Sequence, residues 1–428
     1  GEAYGARTGF LAIWLQWIES TIWFPTVLTF AAVSLAFMGP GQRWDEALAA
    51  NKWYVLIVVL CVYWAATLLN LRGMKTSAGV TKWGTIIGTI VPGAILILLG
   101  LGYWAGGNPI LLDMSWDKLV PDMSNFNNLV LAASIFLFYA GMEMSAVHVK
   151  DVDNPGRNYP LAILISAIIT VLIFVLGTLA IGFIIPNSQI NLVQSLLITY
   201  DSYFSFFGLG WMNWILALAL AVGVLAQVTA WVGGPSKGLY QVGLAGNLPP
   251  VMQKRNKNNV QMGILLIQGG IVTLLSIMFV IMPSVQSAYQ IISQLTIILY
   301  LIMYMLMFAS GIYLRYREPN TPRTFRIPGG RTFGMWVVGG LGLLASLAAF
   351  LVSFIPPNQI TVGSSTMYIL LLVAGTFIFA GIPFIIHAMA KPSWKRPVDP
   401  EDAFEPFGWE KNNDSHSTAT PSHTISHE

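Results

Sequence analysis

The sequence has few charged residues and only one cysteine. Lys, Arg, Asp and Glu together make up 10% of its 428 residues, whereas apolar residues make up 55%. A soluble domain cannot cover so much apolar surface with so few charges. The single cysteine, Cys61, excludes an intrachain disulfide. The composition therefore predicts a polytopic membrane protein whose surroundings are the lipid bilayer.

The motifs of several functional classes are also missing. The sequence contains no cluster of metal-ligating residues, no nucleophile motif and no phosphate-binding loop. Its net charge of +3 does not form a basic footprint for nucleic acid. We therefore expect no metal, no cofactor and no nucleic-acid partner, and a membrane-embedded enzyme is disfavoured.

Long apolar segments are what the sequence has in abundance. A membrane-spanning helix needs about 20 mainly apolar residues, because hydrocarbon leaves no partner for an unpaired backbone group. Ten segments meet this requirement, so we predict an all-α polytopic membrane domain over residues 1–390. The predicted spans are 9–38, 53–71, 79–104, 127–149, 160–185, 211–232, 261–283, 287–314, 334–355 and 366–390.

The distribution of Lys and Arg predicts the orientation of these spans. Of the 22 Lys and Arg residues, only Arg43, Lys52 and Lys118 fall on one side, and the others fall on the side that carries the C-terminus. Cytoplasmic loops retain an excess of Lys and Arg. We therefore expect a multi-pass protein with a cytoplasmic C-terminus.

Two acidic residues, Glu19 and Glu143, lie inside predicted spans. An intramembrane acid costs on the order of 3 kcal/mol by insertion scales and indicates a functional site by default. For Glu19, a carboxyl that only holds helices together inside the bundle is an equal alternative. Glu143 follows Gly141, which permits local unwinding of the helix beside a cavity. The alternative for Gly141 is close helix packing.

The stretch FYAGMEMSAVHVKDVDNPGRNYPLAI, from Phe138, resembles the sixth-helix signature of the amino acid, polyamine and organocation transporter superfamily. GVLAQVTAWVGGPSKGLYQVGLAGNLPP, from Gly223, is similar to its eighth helix and the following loop. Within the superfamily the chain most resembles the bacterial glutamate/γ-aminobutyrate antiporters, through TFRIPGG at Thr324 and AFLVSFIPP at Ala349. The resemblance runs from near Gly5 to near Pro392.

The resemblance implies a leucine-transporter-like fold of two inverted five-helix repeats plus two further helices. Ten of these twelve helices are predicted here, so the first two would be missing. The chain begins with GEAYGARTGF, which has neither an initiator methionine nor a signal-peptide pattern. We therefore expect a fragment or a truncated chain that lacks the first of the two broken helices.

The resemblance also implies a substrate site on the broken sixth helix. It places the unwound, substrate-binding region at Tyr139, Ala140, Gly141 and Glu143. Glu143 would act as a gate or as a carboxyl that responds to pH.

Three aromatic residues and one amide complete the implied substrate site. Trp231 matches an aromatic that stacks over the substrate, and Tyr300 and Tyr304 match paired tyrosines that line the pathway. Their spacing of four residues puts both tyrosines on one helix face. The alternatives are an interfacial belt for Trp231 and core packing for the tyrosines. Gln227 stands where the glutamate/γ-aminobutyrate antiporters tend to have an acid, one turn before the tryptophan.

These features predict a secondary active antiporter for small amino acids in the bacterial cytoplasmic (inner) membrane. Glutamate and γ-aminobutyrate are the expected pair, with a role in acid resistance. The alternatives are an exchanger or permease for another amino acid, and an amino acid sensor that does not transport. The sequence predicts no oligomeric state.

The tail, residues 391–428, is polar and interrupted by proline. It contains His416, His423 and His427, whose charge changes between about pH 5 and pH 8. One interpretation is a disordered cytoplasmic end. The other is a pH-sensing segment that partly blocks the cytoplasmic mouth at neutral pH and is released in acid.

Overall fold

The computed structural model describes residues 1–39, 41–115, 128, 130, 132, 135, 139–144, 146, 152–323, 325–330, 332–357 and 363–396. Among these residues, nine helices are long and apolar enough to cross a membrane. The prediction of a helical, polytopic membrane protein is confirmed.

The helices follow the apolar runs because only an internally hydrogen-bonded backbone is stable in hydrocarbon. In chain order they are α1 Ala6–Ala36, α2 Gln42–Ala49, α3 Lys52–Leu71, α4 Met74–Thr85, α5 Val91–Ala105, α6 Pro155–Ile184, α7 Ser195–Phe206, α8 Asn213–Val242, α9 Met262–Ser276, α10 Met278–Ile281, α11 Val285–Arg317, α12 Phe333–Val352 and α13 Ser365–Ala388. A π-helical turn, Ile86–Ile90, joins α4 to α5. A second π-helical turn, Gly243–Asn247, follows α8.

Side-chain caps mark the start of several helices. The side chain of Asn51 accepts hydrogen bonds from the backbone amides of Trp53 and Tyr54 at the start of α3. Ser284 accepts one from the amide of Ser287 at the start of α11. These oxygens satisfy amide groups that have no partner within the first turn.

Helix α1 lies at the centre of the bundle, where it packs against α8, α11, α3, α9 and α13. The indole N–H of Trp17 donates a 2.8 Å hydrogen bond to Oε1 of Gln268 on α9. The hydroxyl of Ser236 on α8 donates to the same oxygen, also at 2.8 Å. One buried amide therefore joins α1, α8 and α9. In contrast, α6 lies at the periphery and is exposed along most of its length.

Two glycines allow α8 to cross the π-helical turn between α4 and α5 at close range. A methyl group at Gly88 would lie 2.2 Å from Cα of Gly223, and one at Gly223 would lie 2.4 Å from the carbonyl oxygen of Gly88. No side chain fits at either position without moving the backbone. This crossing fixes α8, which carries part of the site described below.

Several helix ends differ from the ends of the predicted spans, as α8 and α6 illustrate. The sixth span was predicted to end at residue 232, but α8 continues to Val242 with Pro235 inside it. The Ser236 hydroxyl, whose one hydrogen is shared with Gln268, also lies 2.7 Å from the carbonyl oxygen of Val232, one turn earlier in the helix. Helix α6 begins at Pro155, before the predicted start at residue 160. The fourth predicted span, 127–149, lies mostly outside the described residues.

Candidate functional site

The backbone leaves the helical path at residues 139–144, here called the broken segment. Tyr139 is helical, Ala140 and Gly141 are not, and residues 142–144 form a single 3-10 turn. Gly141 has φ 105°, a conformation in which an L side chain is strained. The amide of Met144 donates a 3.2 Å hydrogen bond to the carbonyl of Gly141. The amide of Gly141 is directed at two side chains, those of Glu143 and Tyr304.

The carboxylate of Glu143 receives hydrogen bonds from three donors. The amide of Gly141 lies 3.2 Å from Oε2, and the hydroxyl of Tyr304 donates to the same oxygen at 2.8 Å. The hydroxyl of Tyr300 donates to Oε1. The Gly141 amide also contacts the hydroxyl oxygen of Tyr304 at 3.3 Å. Glu143 is half-buried and satisfied as a carboxylate by neutral donors, as a charge in this setting requires.

Tyr300 and Tyr304 act together because they stand one turn apart on α11. Their rings stack with centroids 4.7 Å apart and planes inclined by 17°. Tyr300 is 4% exposed, so its hydroxyl has little access to bulk water. The predicted common helix face is therefore the face that meets Glu143. Core packing alone, the alternative considered for these two tyrosines, does not explain why both hydroxyls donate to the carboxylate of Glu143.

Trp231 covers the broken segment from α8. A methyl group at Gly141 would lie 3.0 Å from Cζ2 of the Trp231 indole, so the absent side chain makes room for the ring. Trp23 of α1 packs against the same indole, with ring centroids 5.6 Å apart. Because α8 continues to Val242, Trp231 does not stand at the end of its helix. The Trp231 indole contacts Trp23 and the broken segment inside the bundle, whereas an interfacial belt residue contacts the lipid headgroup region.

Sequence reasoning did not assign Gln16 or Trp23 of α1 to this site. Nε2 of Gln16 donates a 2.8 Å hydrogen bond to the sulfur of Met144 in the broken segment. A glutamine inside an apolar span was the only available signal, and nothing in the sequence links Trp23 to Trp231. Glu19, on the same helix, is 2% exposed, and its Oε1 has no hydrogen-bond partner among the described residues.

A cavity of about 290 Å³ reaches Glu143 between the first half of α1 and the second half of α11. It is lined by Gly9, Ala12 and Gln16 of α1, by Met303, Met307 and Ser310 of α11, and by Glu143. The N-terminal stretch lies beside the end of α11, where Nη1 of Arg317 donates to the carbonyl of Glu2 at 2.9 Å. The cavity is therefore on the side that is rich in Lys and Arg.

Some predicted site residues lie apart from this cluster. The Tyr139 ring packs edge-on against Phe174 of α6, with centroids 5.7 Å apart, and the residue is 38% exposed. Ala140 packs against the core. Gln227 lies one turn before Trp231 and is exposed. The predicted pH-sensing residues His416, His423 and His427 lie outside the described residues.

The chain matches the amino acid permease family model over residues 1–379. It is 37% identical over 384 residues to an uncharacterized transporter of Legionella pneumophila, covering 90% of this chain and 81% of that protein. It is 32% identical over 391 residues to a glutamate/γ-aminobutyrate antiporter of Lactococcus lactis, covering 91% and 77%. A probable agmatine/putrescine antiporter of the same species is 23% identical over 332 residues, covering 77% and 68%.

These matches confirm the family resemblance, and the relatives are transporters rather than enzymes. The family implies small-molecule substrates and a membrane-embedded chain, in agreement with the apolar helices of the described residues. The chain belongs to the amino acid permease family of multi-pass membrane transporters.

Proposed function

We propose that this transporter is a secondary active antiporter that exchanges glutamate for γ-aminobutyrate by alternating access. The hydrogen-bonded cluster around Glu143 carries the proposal, because it joins a carboxylate, the backbone amide of Gly141 and two tyrosines at a break in a helix. The 32% identity to an antiporter of that name supports the substrate pair. Tyr139, Ala140 and Gln227 are the peripheral members of this proposed site.

The cluster suits an amino acid because its groups complement both ends of a zwitterion. The ammonium group of a substrate can donate to Glu143, and its carboxylate can accept from the amide of Gly141. In the structure the amide of Gly141 donates to the carboxylate of Glu143 itself, at 3.2 Å. Substrate binding therefore has to replace an internal contact, which couples binding to rearrangement of the broken segment. The indoles of Trp23 and Trp231 supply an apolar cover over this position.

Protonation of Glu143 is the proposed link to pH. An ionised carboxylate accepts from Gly141, Tyr300 and Tyr304 together, whereas a protonated carboxyl has to donate one proton and loses acceptor capacity. Gaining a proton therefore loosens the hold of α11 on the broken segment. An exchanger released in this way is more active in acid, which is consistent with a role in acid resistance.

Access to the site is proposed to be from the cytoplasm. The cavity of about 290 Å³ opens beside the Lys- and Arg-rich side, which the positive-inside rule assigns to the cytoplasm. The transporter would then lie in the bacterial cytoplasmic membrane with a cytoplasmic C-terminus, in an inward-facing arrangement.

A second candidate function is exchange of another amino acid or of its decarboxylation product. Gln227 favours it, because a neutral amide one turn from Trp231 gives the site a different net charge from that of an acid at this position. The similarity to a probable agmatine/putrescine antiporter extends the range of substrates to be tested.

Counterflow into proteoliposomes tests the proposal. Purified protein is reconstituted, the vesicles are loaded in turn with glutamate, γ-aminobutyrate, arginine and glutamine, and uptake of each labelled compound is measured at acidic and neutral pH. Accumulation of label only with glutamate or γ-aminobutyrate inside supports the proposed pair. Accumulation with arginine or glutamine instead supports the second candidate. Binding without accumulation of any compound indicates a sensor and overturns the antiporter proposal.

A further inference from the structure

A second cavity, of about 200 Å³, lies where the end of α1 meets α2, α7 and the start of α8. It is lined by Phe37, Asp45, Tyr200, Asp201, Asn213 and Trp214, among others. Phe37 follows Trp23 by fourteen positions along α1, which corresponds to about 20 Å of helix. This cavity is therefore well separated from the Glu143 cluster and belongs to the side with few Lys and Arg residues.

Asp45 presents a buried oxygen that has no donor. The residue is 5% exposed, and its Oδ1 has no hydrogen-bond partner among the described residues. Burial of a carboxylate is costly unless donors replace the lost water, and the backbone hydrogen bond from Gly41 offsets only part of this cost at Asp45. Asp45 lines the cavity, so a donor bound there would lie beside this carboxyl group.

Two further side chains at the cavity, Asn213 and Asp201, carry acceptor oxygens. Nδ2 of Asn213 donates to Oδ1 of Asp201, which leaves Oδ1 of Asn213 without a partner among the described residues. The hydroxyl of Tyr200 is committed to the carbonyl of Pro92 at 2.7 Å. None of the described residues that line the cavity is Lys, Arg or His. Its occupant therefore has to bring both positive charge and several N–H groups.

A primary ammonium group meets this requirement better than a metal ion does. Among the described residues, no group of three or more His, Cys, Asp or Glu residues is arranged to hold a metal. An ammonium group offers three donors to separate oxygens, and the rings of Phe37, Tyr200 and Trp214 suit both its charge and an alkyl chain. A cavity of about 150 Å³ is large enough for benzene, so this one has room for a short alkylamine.

We propose that this cavity binds the primary ammonium group of a small organic amine, through Asp45, Asp201 and the carbonyl oxygen of Asn213. The amine is either a simple alkylamine or the amino end of a γ-amino acid whose carboxylate remains outside the cavity. The site stands whether or not glutamate and γ-aminobutyrate are the pair exchanged at Glu143.

Thermal unfolding of the detergent-purified protein tests the site near neutral pH. Butylammonium chloride is titrated against sodium chloride and tetramethylammonium chloride at matched ionic strength. The proposal expects a saturable rise in melting temperature with butylammonium alone, because tetramethylammonium has charge but no N–H donors. Equal shifts with all three salts would overturn the proposal in favour of a general salt effect. A shift with sodium alone would indicate an inorganic cation site and would also overturn it.

Single-residue variants test whether the rise in melting temperature with butylammonium comes from binding in this cavity. Asp45→Asn is expected to raise the half-saturating butylammonium concentration by about tenfold or more, since it removes the charged acceptor. Asp201→Asn, on the rim, is the second variant if Asp45→Asn does not fold. Glu46→Gln, the next residue on α2, is the matched control and should leave the titration unchanged. Retained binding in both aspartate variants contradicts the assignment.

Two further titrations separate this cavity from the exchange site. Tyr300→Phe alters the Glu143 cluster and should leave the butylammonium shift intact. Loss of the shift in Tyr300→Phe would mean that butylammonium binds at Glu143. The titration is then repeated with γ-aminobutyrate in place of butylammonium, in the Tyr300→Phe background. A rise in melting temperature that disappears when Asp45→Asn is added shows that the cavity accepts the amino end of a γ-amino acid. The outcome does not depend on any transport measurement.

Discussion

The hydroxyl of Tyr304 donates a 2.8 Å hydrogen bond to Oε2 of Glu143, although 161 positions separate the two residues in the chain. Tyr300 donates to the other carboxylate oxygen from one turn earlier on α11. A long, continuous helix thus holds a broken segment through one carboxylate. Hydrogen bonds to an ionised group are roughly twice as strong as those between neutral groups. The protonation state of Glu143 should therefore decide how firmly the segment is held.

Glu143→Gln is expected to flatten the pH dependence of exchange. The amide keeps the size of the carboxyl and one acceptor oxygen, but it cannot change its charge. Exchange is measured by counterflow at several pH values, with expression and melting temperature as the check on folding. A variant whose pH profile matches that of the parent would make Glu143 a structural residue.

Tyr304→Phe should raise exchange at neutral pH relative to exchange in acid, by about tenfold or more. The change removes one donor to the carboxylate, and a hydrogen bond to a charged group contributes about 1.5–3 kcal/mol. Tyr139→Phe is the matched control, because the Tyr139 ring packs against Phe174 and not against Glu143. Equal effects of the two variants would show that the Tyr304 hydroxyl has no specific role.

Gly141→Ala is expected to reduce exchange strongly while leaving the protein folded. Its φ of 105° strains any L side chain, and the new methyl group would lie 3.0 Å from the Trp231 indole. Gly270→Ala on α9 is the control, since a methyl group there meets nothing within 4 Å. Adding Trp231→Phe should recover part of the activity by relieving the crowding. No recovery would attribute the loss to backbone strain alone, and an active Gly141→Ala would contradict the proposed role of the break.

The helical, multi-pass fold could be predicted from the sequence because the length and polarity of a membrane helix are set locally by the bilayer. The break near Gly141 and the shared face of Tyr300 and Tyr304 were also local signals, one from glycine and one from a spacing of four residues. Helix α8 continues past residue 232, the predicted end of the sixth span, and Ser236 in this extension contacts Gln268 of α9, which is distant in sequence.

Contacts between distant parts of the chain could not be predicted from the sequence. Nothing near Trp23 indicates that it meets Trp231, and nothing in the local pattern directs Tyr139 towards α6. Asp45 and Asp201 reach the same cavity from opposite ends of the first half of the protein. Such neighbours depend on how whole helices cross, which is determined by packing over the entire bundle.

Gln227→Glu tests whether the exposed residue one turn before Trp231 affects selectivity. A carboxylate there adds a charge beside the substrate, so the ratio of glutamate uptake to glutamine uptake at neutral pH should differ from that of the parent. The difference should shrink in acid as the new carboxyl is protonated. Gln189→Glu, in an exposed turn between α6 and α7, is the control. Identical competition profiles for Gln227→Glu and the parent would show that position 227 does not face the substrate.

Asp45→Asn should stabilise the protein near neutral pH when no amine is present. Burial raises the pKa of Asp45 above its usual value, and the charges of Asp201 and Glu46 act in the same direction. The folded protein therefore holds this proton at pH values where the unfolded chain has already released it, and stability falls as pH rises from about 4 through the raised pKa. Asparagine carries no such penalty. The melting temperature of Asp45→Asn should exceed that of the parent at neutral pH, and the two should converge towards about pH 4. A constant difference at all pH values would indicate an effect of packing instead.

The start of the tail is anchored beside the loop that follows α8. The amide of Arg396 donates a 3.0 Å hydrogen bond to the carbonyl of Leu244, and Nε2 of Gln253 donates to the carbonyl of Trp394 at 2.9 Å. Deleting the whole tail from Lys391 would remove these contacts together with the histidines. Truncation after Arg396 keeps the anchor and removes residues 397–428 alone.

If the tail blocks the cytoplasmic mouth at neutral pH, truncation after Arg396 should raise exchange at neutral pH and leave exchange in acid unchanged. Protonated His416, His423 and His427 would be repelled by the Lys- and Arg-rich face, so an intact tail leaves the mouth in acid on its own. Replacing all three histidines with glutamine in the full chain should give the opposite result, with exchange remaining low in acid. Both variants are measured by counterflow between about pH 5 and pH 8. If the truncated protein and the histidine variant both keep the parent's pH profile, the tail does not gate transport, and the pH response has to come from Glu143.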